Sequence, residues 1–266
     1  MSAPLPFLRW GDPEKPALVL LHGFLGDASD WSDLAPFFAA DFDVIAVDLP
    51  GHGAAYERPE CSVAAAARTV LATLDAFGQK RAALVGYSMG GRIALYLAAH
   101  FPDRIGRAVL VGASPGLRTE AEREARAAHD AALADRLDGC ADPNDVRRFL
   151  ADWYAAPLWA SVPDALREAW IDKRQHGDPE GWARSLRAGG TGAMAPLWDL
   201  LPALRVPTLA LHGAADAKFA GLAREMAAAS DAVTAAPIPD AGHAAHAERP
   251  DAFVGAALPF LRSSPA

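Results

Sequence analysis

The chain reads as short apolar runs separated by longer stretches in which apolar residues recur at helical spacing. Residues 17–21 form a continuous apolar run, and 43–47, 82–85 and 107–111 are nearly as apolar. Runs of this length without alternation predict strands covered on both faces. Between them lie helix-like stretches at 30–38, 63–77 and 90–100. In the second, Val63, Val70, Leu71, Leu74 and Phe77 recur near the helical period. The alternation predicts a mostly parallel central sheet flanked by helices, an α/β fold.

The pattern breaks after Gly112. Residues 118–137 are rich in Ala, Glu and Arg, all good helix formers, and further helical stretches follow at 145–159, 163–175 and 179–188. Strand signals return at 208–211 and, more weakly, at 233–238, and a helix over 250–261 closes the chain. We read one domain: a core of residues 1–114 and 201–266, with a helical cap of residues 115–200 inserted in it.

Composition narrows the function classes. With 266 residues and 52% hydrophobic content the chain can bury one large core. A net charge of −8 argues against nucleic acid as a partner, because phosphate binding needs a basic face. It leaves room for a small anion held by a local cluster of Arg. The two cysteines, Cys61 and Cys140, lack metal-ligand spacing and fit a reducing compartment. The first ten residues do not read as a signal peptide, and no apolar stretch approaches the roughly 20 residues of a membrane span. A cytoplasmic protein, with no membrane partner, is the default expectation. Composition says nothing about oligomeric state.

The strongest chemical signal is Gly86-Tyr87-Ser88-Met89-Gly90-Gly91, which follows one expected strand and opens one expected helix. A serine on such a turn stands exposed above the sheet, and the flanking glycines relieve the crowding there. The competing bland reading is a glycine turn that happens to carry a serine. A serine hydroxyl needs a neighbouring base, and that base needs a carboxylate to orient it. On this architecture the acid and then the histidine follow the serine in the chain. Asp216, just after a returning strand, and His243, after the last strand, fill those positions. Asp240 stands too close to His243 in sequence to orient it, and His246 reads as a solvated residue at a helix start. Leu21-His22-Gly23-Phe24 ends the first apolar run. The backbone N–H groups of Phe24 and Met89 are the candidate oxyanion donors. His22 and His52 read as structural loop residues.

Several stretches go beyond the serine, acid and histidine pattern. They are Gly86 to Arg92; Gly112 to Leu117 with the segment 120–130; Phe149 to Tyr154 with Pro157; Gly190-Thr191-Gly192 with Pro196 and Trp198; Asp216 to Phe219; and Ala241 to His246. Together they resemble the family of 2-succinyl-6-hydroxy-2,4-cyclohexadiene-1-carboxylate synthases, pyruvate-eliminating lyases of menaquinone biosynthesis in the α/β-hydrolase superfamily. The resemblance implies the α/β-hydrolase fold and a substrate with three carboxylates, and no metal or cofactor. It also implies that Ser88, with His243 and Asp216, works as a base. Matched positions give Tyr87, Arg92, Arg126, Trp153, Arg174 and Lys218 as substrate-binding residues. Arg suits that task because its planar fork matches a carboxylate. Acidic side chains outnumber basic ones in the helical block, so these positions come from the match and not from charge density. Members of the family often carry a Gln after the Gly-Thr-Gly segment, where this chain has Met194 and Ala195. Two other readings stay open on the residues alone: a serine carboxylesterase or carbon–carbon bond hydrolase with the same triad, and a ligand receptor that reuses the fold.

Overall fold

A computed structural model describes residues 4–263. The strands β1 (Phe7–Trp10), β2 (Ala17–Leu21), β3 (Asp43–Val47), β4 (Ala82–Tyr87), β5 (Ile105–Val111), β6 (Thr208–Gly213) and β7 (Val233–Ile238) form one sheet in the order β1-β3-β2-β4-β5-β6-β7. Only β1 is antiparallel to its neighbour. β2, β3 and β6 are buried along their whole length, as continuous apolar strands should be when helices cover both faces. β1 was not anticipated. It lies at the sheet edge with Phe7 and Leu8 exposed, so its own sequence carries little strand signal. Its partner supplies the order: Arg9 clasps the buried carboxylate of Asp43 with two bonds of 2.7 and 2.8 Å.

The helices are α1 (Ala35–Ala39), α2 (Val63–Ala76), α3 (Met89–His100), α4 (Glu120–Asp138), α5 (Pro143–Tyr154), α6 (Asp164–Arg174), α7 (Pro179–Gly189), α8 (Ala217–Ala229), α9 (Ala245–Glu248) and α10 (Pro250–Arg262). Two stretches expected as single helices are split. Pro36 confines α1 to one short piece after a 3₁₀ turn at Ala28–Trp31. Pro157 stops α5 and starts a 3₁₀ turn at Pro157–Trp159. In both places proline removes a backbone donor and restricts the residue before it.

One face of the sheet packs Leu74, Ile93, Leu97 and Met226 from α2, α3 and α8. The other packs Trp31, Phe38, Phe253 and Leu261. The block α4–α7 has its own apolar centre, with Leu137, Phe149, Leu150, Trp159 and Trp182, and closes it onto Leu25 and Ala244 from the loops after β2 and β7. The helical block therefore sits over the carboxyl ends of the strands. Met194, Leu197 and Trp198 already pack in the same cluster as Leu74, Ile93, Leu97 and Met226, before residue 201 is reached. Among the described residues no helix is long and apolar enough to cross a membrane.

Candidate active site

The strand after β2 in the chain lies on one side of it and β4 lies on the other. At such a switch point the loops diverge and leave a crevice at the strand ends. Ser88 stands there, between β4 and α3, at φ 49° and ψ −103°. That backbone is strained for a residue with a side chain. Tight neighbours hold it: Ser88 N–H donates to Val111 O at 2.8 Å and Gly90 N–H to His22 O at 3.1 Å. A Cβ on Gly86 would strike the Gly90 backbone, and one on Gly90 would strike the carbonyls of Leu21 and His22.

His243 comes from the loop after β7 and Asp216 from the loop after β6. The Ser88 hydroxyl donates to His243 Nε2 at 3.2 Å, and His243 Nδ1–H donates to Asp216 Oδ2 at 3.1 Å. A carboxylate only accepts, so Asp216 fixes the proton on Nδ1 and leaves Nε2 open as a base. Asp216 also caps α8 through the Phe219 N–H, 3.1 Å away. Burial pushes the Asp216 pKa up, but the bonds from His243 and Phe219 outweigh it, and the net lies below the ordinary carboxylate value. Glu248 brackets the histidine loop by accepting from Gly242 N–H at 2.9 Å and Ala244 N–H at 3.1 Å.

The Phe24 N–H is aimed from behind. His22 Nε2 accepts from Leu49 N–H at 3.0 Å, so its proton is on Nδ1, which donates to Gly23 O at 2.7 Å. In a trans peptide the C=O and N–H point opposite ways. Anchoring Gly23 O on His22 therefore turns the Phe24 N–H away from His22. Met89 opens α3, so its N–H has no partner within the helix. Burial pushes the pKa of His22 down and that of His52 well down, in keeping with uncharged rings.

A cavity of about 130 Å³ joins Phe24, Tyr87, Ser88, Met89 and His243 to Arg92, Arg126, Trp153 and Lys218. Arg92 is buried and donates to Gly189 O at 2.6 Å, with Met194 Sδ at 3.6 Å. A thioether, a weak acceptor, thus occupies the place beside this guanidinium. Burial first, and Arg126 second, push the Arg92 pKa down to about 10, so it remains a cation at neutral pH. Arg126 is half-buried and pairs with Asp130 at 2.7 Å. Lys218 is exposed at the first turn of α8. Trp153 packs edge-on against Phe24.

Arg174 is not brought into this cavity. It lines a smaller one of about 50 Å³ behind Phe24, Tyr87 and Trp159, where its Nη2 donates to Asp30 at 2.7 Å and its Nε to Leu25 O at 3.0 Å. His246 differs from the expectation of a solvated residue at a helix start. It is buried among Trp31, Tyr87 and Phe253, not solvated, and burial pushes its pKa down to about 3. A helix start in sequence says nothing about which tertiary surface covers it. Phe219 and Trp159, whose rings lie 4.4 and 5.6 Å from that of His243, and the bracketing Glu248 were not found from sequence. Phe219 sits one turn past Asp216 and could have been sought there; Trp159 and Glu248 carry no local signal.

Residues 16–250 match the family described as alpha/beta hydrolase fold. The 2-succinyl-6-hydroxy-2,4-cyclohexadiene-1-carboxylate synthase of Serratia proteamaculans (strain 568) is 36% identical over 255 residues, covering 96% of each chain. Its namesake in Pectobacterium atrosepticum is 37% identical over 251 residues, covering 94% of this chain and 95% of that one. Among solved structures, MenH from S. aureus superposes with a TM-score of 0.88 at 33% identity over 98% of both chains. Fold, site geometry and this likeness along nearly the whole length agree: the chain belongs to the α/β-hydrolase family and, within it, to the 2-succinyl-6-hydroxy-2,4-cyclohexadiene-1-carboxylate synthases.

Proposed function

We propose that this chain eliminates pyruvate from 2-succinyl-5-enolpyruvyl-6-hydroxy-3-cyclohexene-1-carboxylate to give 2-succinyl-6-hydroxy-2,4-cyclohexadiene-1-carboxylate. The observation that carries the proposal, given the family, is the pairing of a serine base with three cations in one cavity. The substrate bears three carboxylates, and Arg92, Arg126 and Lys218 line the cavity that holds Ser88 and His243. Keeping Arg92 buried costs free energy unless an anion meets it. A hydrolase of neutral esters gains nothing from that arrangement.

The chemistry follows from the groups present. The hydrogen to be removed sits on the ring carbon beside the succinyl ketone. The Ser88 hydroxyl hands its proton to His243 Nε2 as Ser88 Oγ takes the ring proton. Asp216 stabilises the imidazolium. The electron pair moves into the ketone as an enolate, and the Phe24 and Met89 N–H groups stabilise the oxygen on which charge develops. The enolate then collapses into the ring diene, and the carbon–oxygen bond to the enolpyruvyl group breaks. The leaving enolate takes up one proton and becomes pyruvate. One proton is lost and one gained, and no water is consumed. Tyr87 and Trp153 wall the reacting ring. A cytoplasmic setting fits the two free thiols, Cys61 and Cys140.

The test is release of pyruvate from the enolpyruvyl substrate by the wild type and by Ser88→Ala. We expect turnover by the former only. Hydrolysis of simple esters without pyruvate release would instead assign the site to an esterase.

A further inference from the structure

Arg174 and the three cavity cations differ in where their hydrogen bonds go. Arg174 reaches from α6 to two points on the segment after β2, the same segment that carries Phe24. Its Nε holds the Leu25 carbonyl at 3.0 Å, and its Nη2 holds the Asp30 carboxylate at 2.7 Å. Lys173 adds a second cation to Asp30 at 2.5 Å. Asp30 is nearly buried, and although burial alone would raise its pKa, Arg174 and Lys173 pull it down to about 2.

Leu25 is one of three non-glycine residues at positive φ among those described, at 67°. L-residues avoid that region unless their surroundings impose it. Here the helical block does so twice: the Leu25 side chain packs in the block's own apolar centre, and its carbonyl is tied to Arg174. The Leu25 carbonyl and the Gly26 N–H belong to one trans peptide and point opposite ways. Holding the carbonyl on Arg174 aims the Gly26 N–H at Gly23 O, which it meets at 3.1 Å. Gly23 O in turn fixes the direction of the Phe24 N–H. His22 is the other anchor of that carbonyl.

We infer that Arg174, braced by Asp30, is a positioning residue for the oxyanion site. It acts through Leu25, so the Phe24 N–H is correctly aimed only while α6 is docked on the core. The inference rests on the oxyanion role proposed above for Phe24. It separates Arg174 from Arg92, Arg126 and Lys218, which face the substrate cavity. Arg174 Nη1 is buried without a hydrogen-bond partner, so a ligand role in the smaller cavity is the rival to exclude.

Asp30→Asn distinguishes the two, because they predict opposite effects. If Arg174 binds a substrate carboxylate, freeing it from Asp30 lowers KM and leaves kcat alone. If it positions the turn, kcat falls and KM holds. For Arg174→Ala we expect kcat for pyruvate release to drop about 10-fold or more, less than the 10²–10³-fold of losing a donor outright, with KM within about 3-fold. Asp30→Asn should move kcat the same way by a smaller factor, and Arg174→Lys should recover part of the loss. Labelling of Ser88 by a neutral fluorophosphonate should slow in parallel with kcat, since that probe has no carboxylate to bind. A raised KM with kcat kept in Arg174→Ala, or labelling rates equal to wild type in both variants, would overturn the inference. Should Arg174→Ala not fold, Asp30→Asn, nearly the same shape, carries the test alone. A wild type inert to both substrate and probe would sink the reading of the serine site and not the clamp alone.

Discussion

Arg92 and Lys218 bring the same formal charge to one cavity from different surroundings. Arg92 is buried on α3 with its guanidinium on a backbone carbonyl, whereas Lys218, which lines the same cavity, is exposed. Arg126 spends part of its charge on Asp130. A charge-assisted hydrogen bond contributes about 1.5–3 kcal/mol. Arg126→Ala is therefore expected to raise KM for the enolpyruvyl substrate by about 10- to 100-fold with a smaller change in kcat, measurable by initial rates of pyruvate release. Ser88→Ala removes the base itself. Its turnover should fall by about 10³-fold or more while the melting temperature stays near that of the wild type, since no core atom is lost. A large loss of melting temperature would show that the serine is also structural.

At the scale of elements, the site depends on loops whose ends are tied down. Ala214 N–H bonds Ile238 O and Ala215 N–H bonds Ala241 O, each at 2.9 Å, which joins the loop of the acid to that of the histidine. α4 supplies Arg126, and Thr119 and Glu122 start that helix by satisfying each other's backbone donors. Thr119→Ala should cost about 1 kcal/mol. Faster amide exchange in the first turn of α4 than in α3 would locate the loss in the helical block. Gly90→Ala is expected to be far more damaging. Its methyl would meet the Leu21 and His22 carbonyls, which cannot retreat because β2 is paired on both sides. A soluble, normally melting Gly90→Ala protein would contradict this account of the turn.

For the whole molecule, acid stability should fail in two stages. His246 is held neutral, facing Trp31, Tyr87 and Phe253 and near Asp30, Arg174 and His243, with a folded pKa of about 3 against an ordinary 6.5. The unfolded chain binds this proton first, so the stability is fully present above about 6.5. It is lost by about 1.4 kcal/mol per pH unit as pH falls towards 3. His22 and His52, also held neutral by burial, act in the same direction. Asp30, with its pKa lowered to about 2 from 3.8, adds a loss only below about pH 4. Thermal melts of the wild type and His246→Leu at pH 7, 6 and 5 check this. The variant should show a shallower decline, and parallel declines would refute the role given to His246.

Much of this protein was legible in one dimension because its signals are local. Continuous apolar runs gave the buried strands, and the break after Gly112 gave the helical block. Gly86 to Gly90, with a strand before and a helix after, pointed to Ser88, and chain order then pointed to Asp216 and His243. Those features depend on neighbours a few residues away, where backbone sterics and side-chain period decide. What lies between distant segments was not legible. The edge strand β1 exists because β3 is beside it, His246 is buried because Trp31 and Phe253 close over it, and Arg174 turns to Leu25 and Asp30 because α6 docks there. The sequence position of Arg174 fixes its element, but its partners are chosen by packing between segments more than a hundred residues apart, and that choice belongs to the tertiary structure.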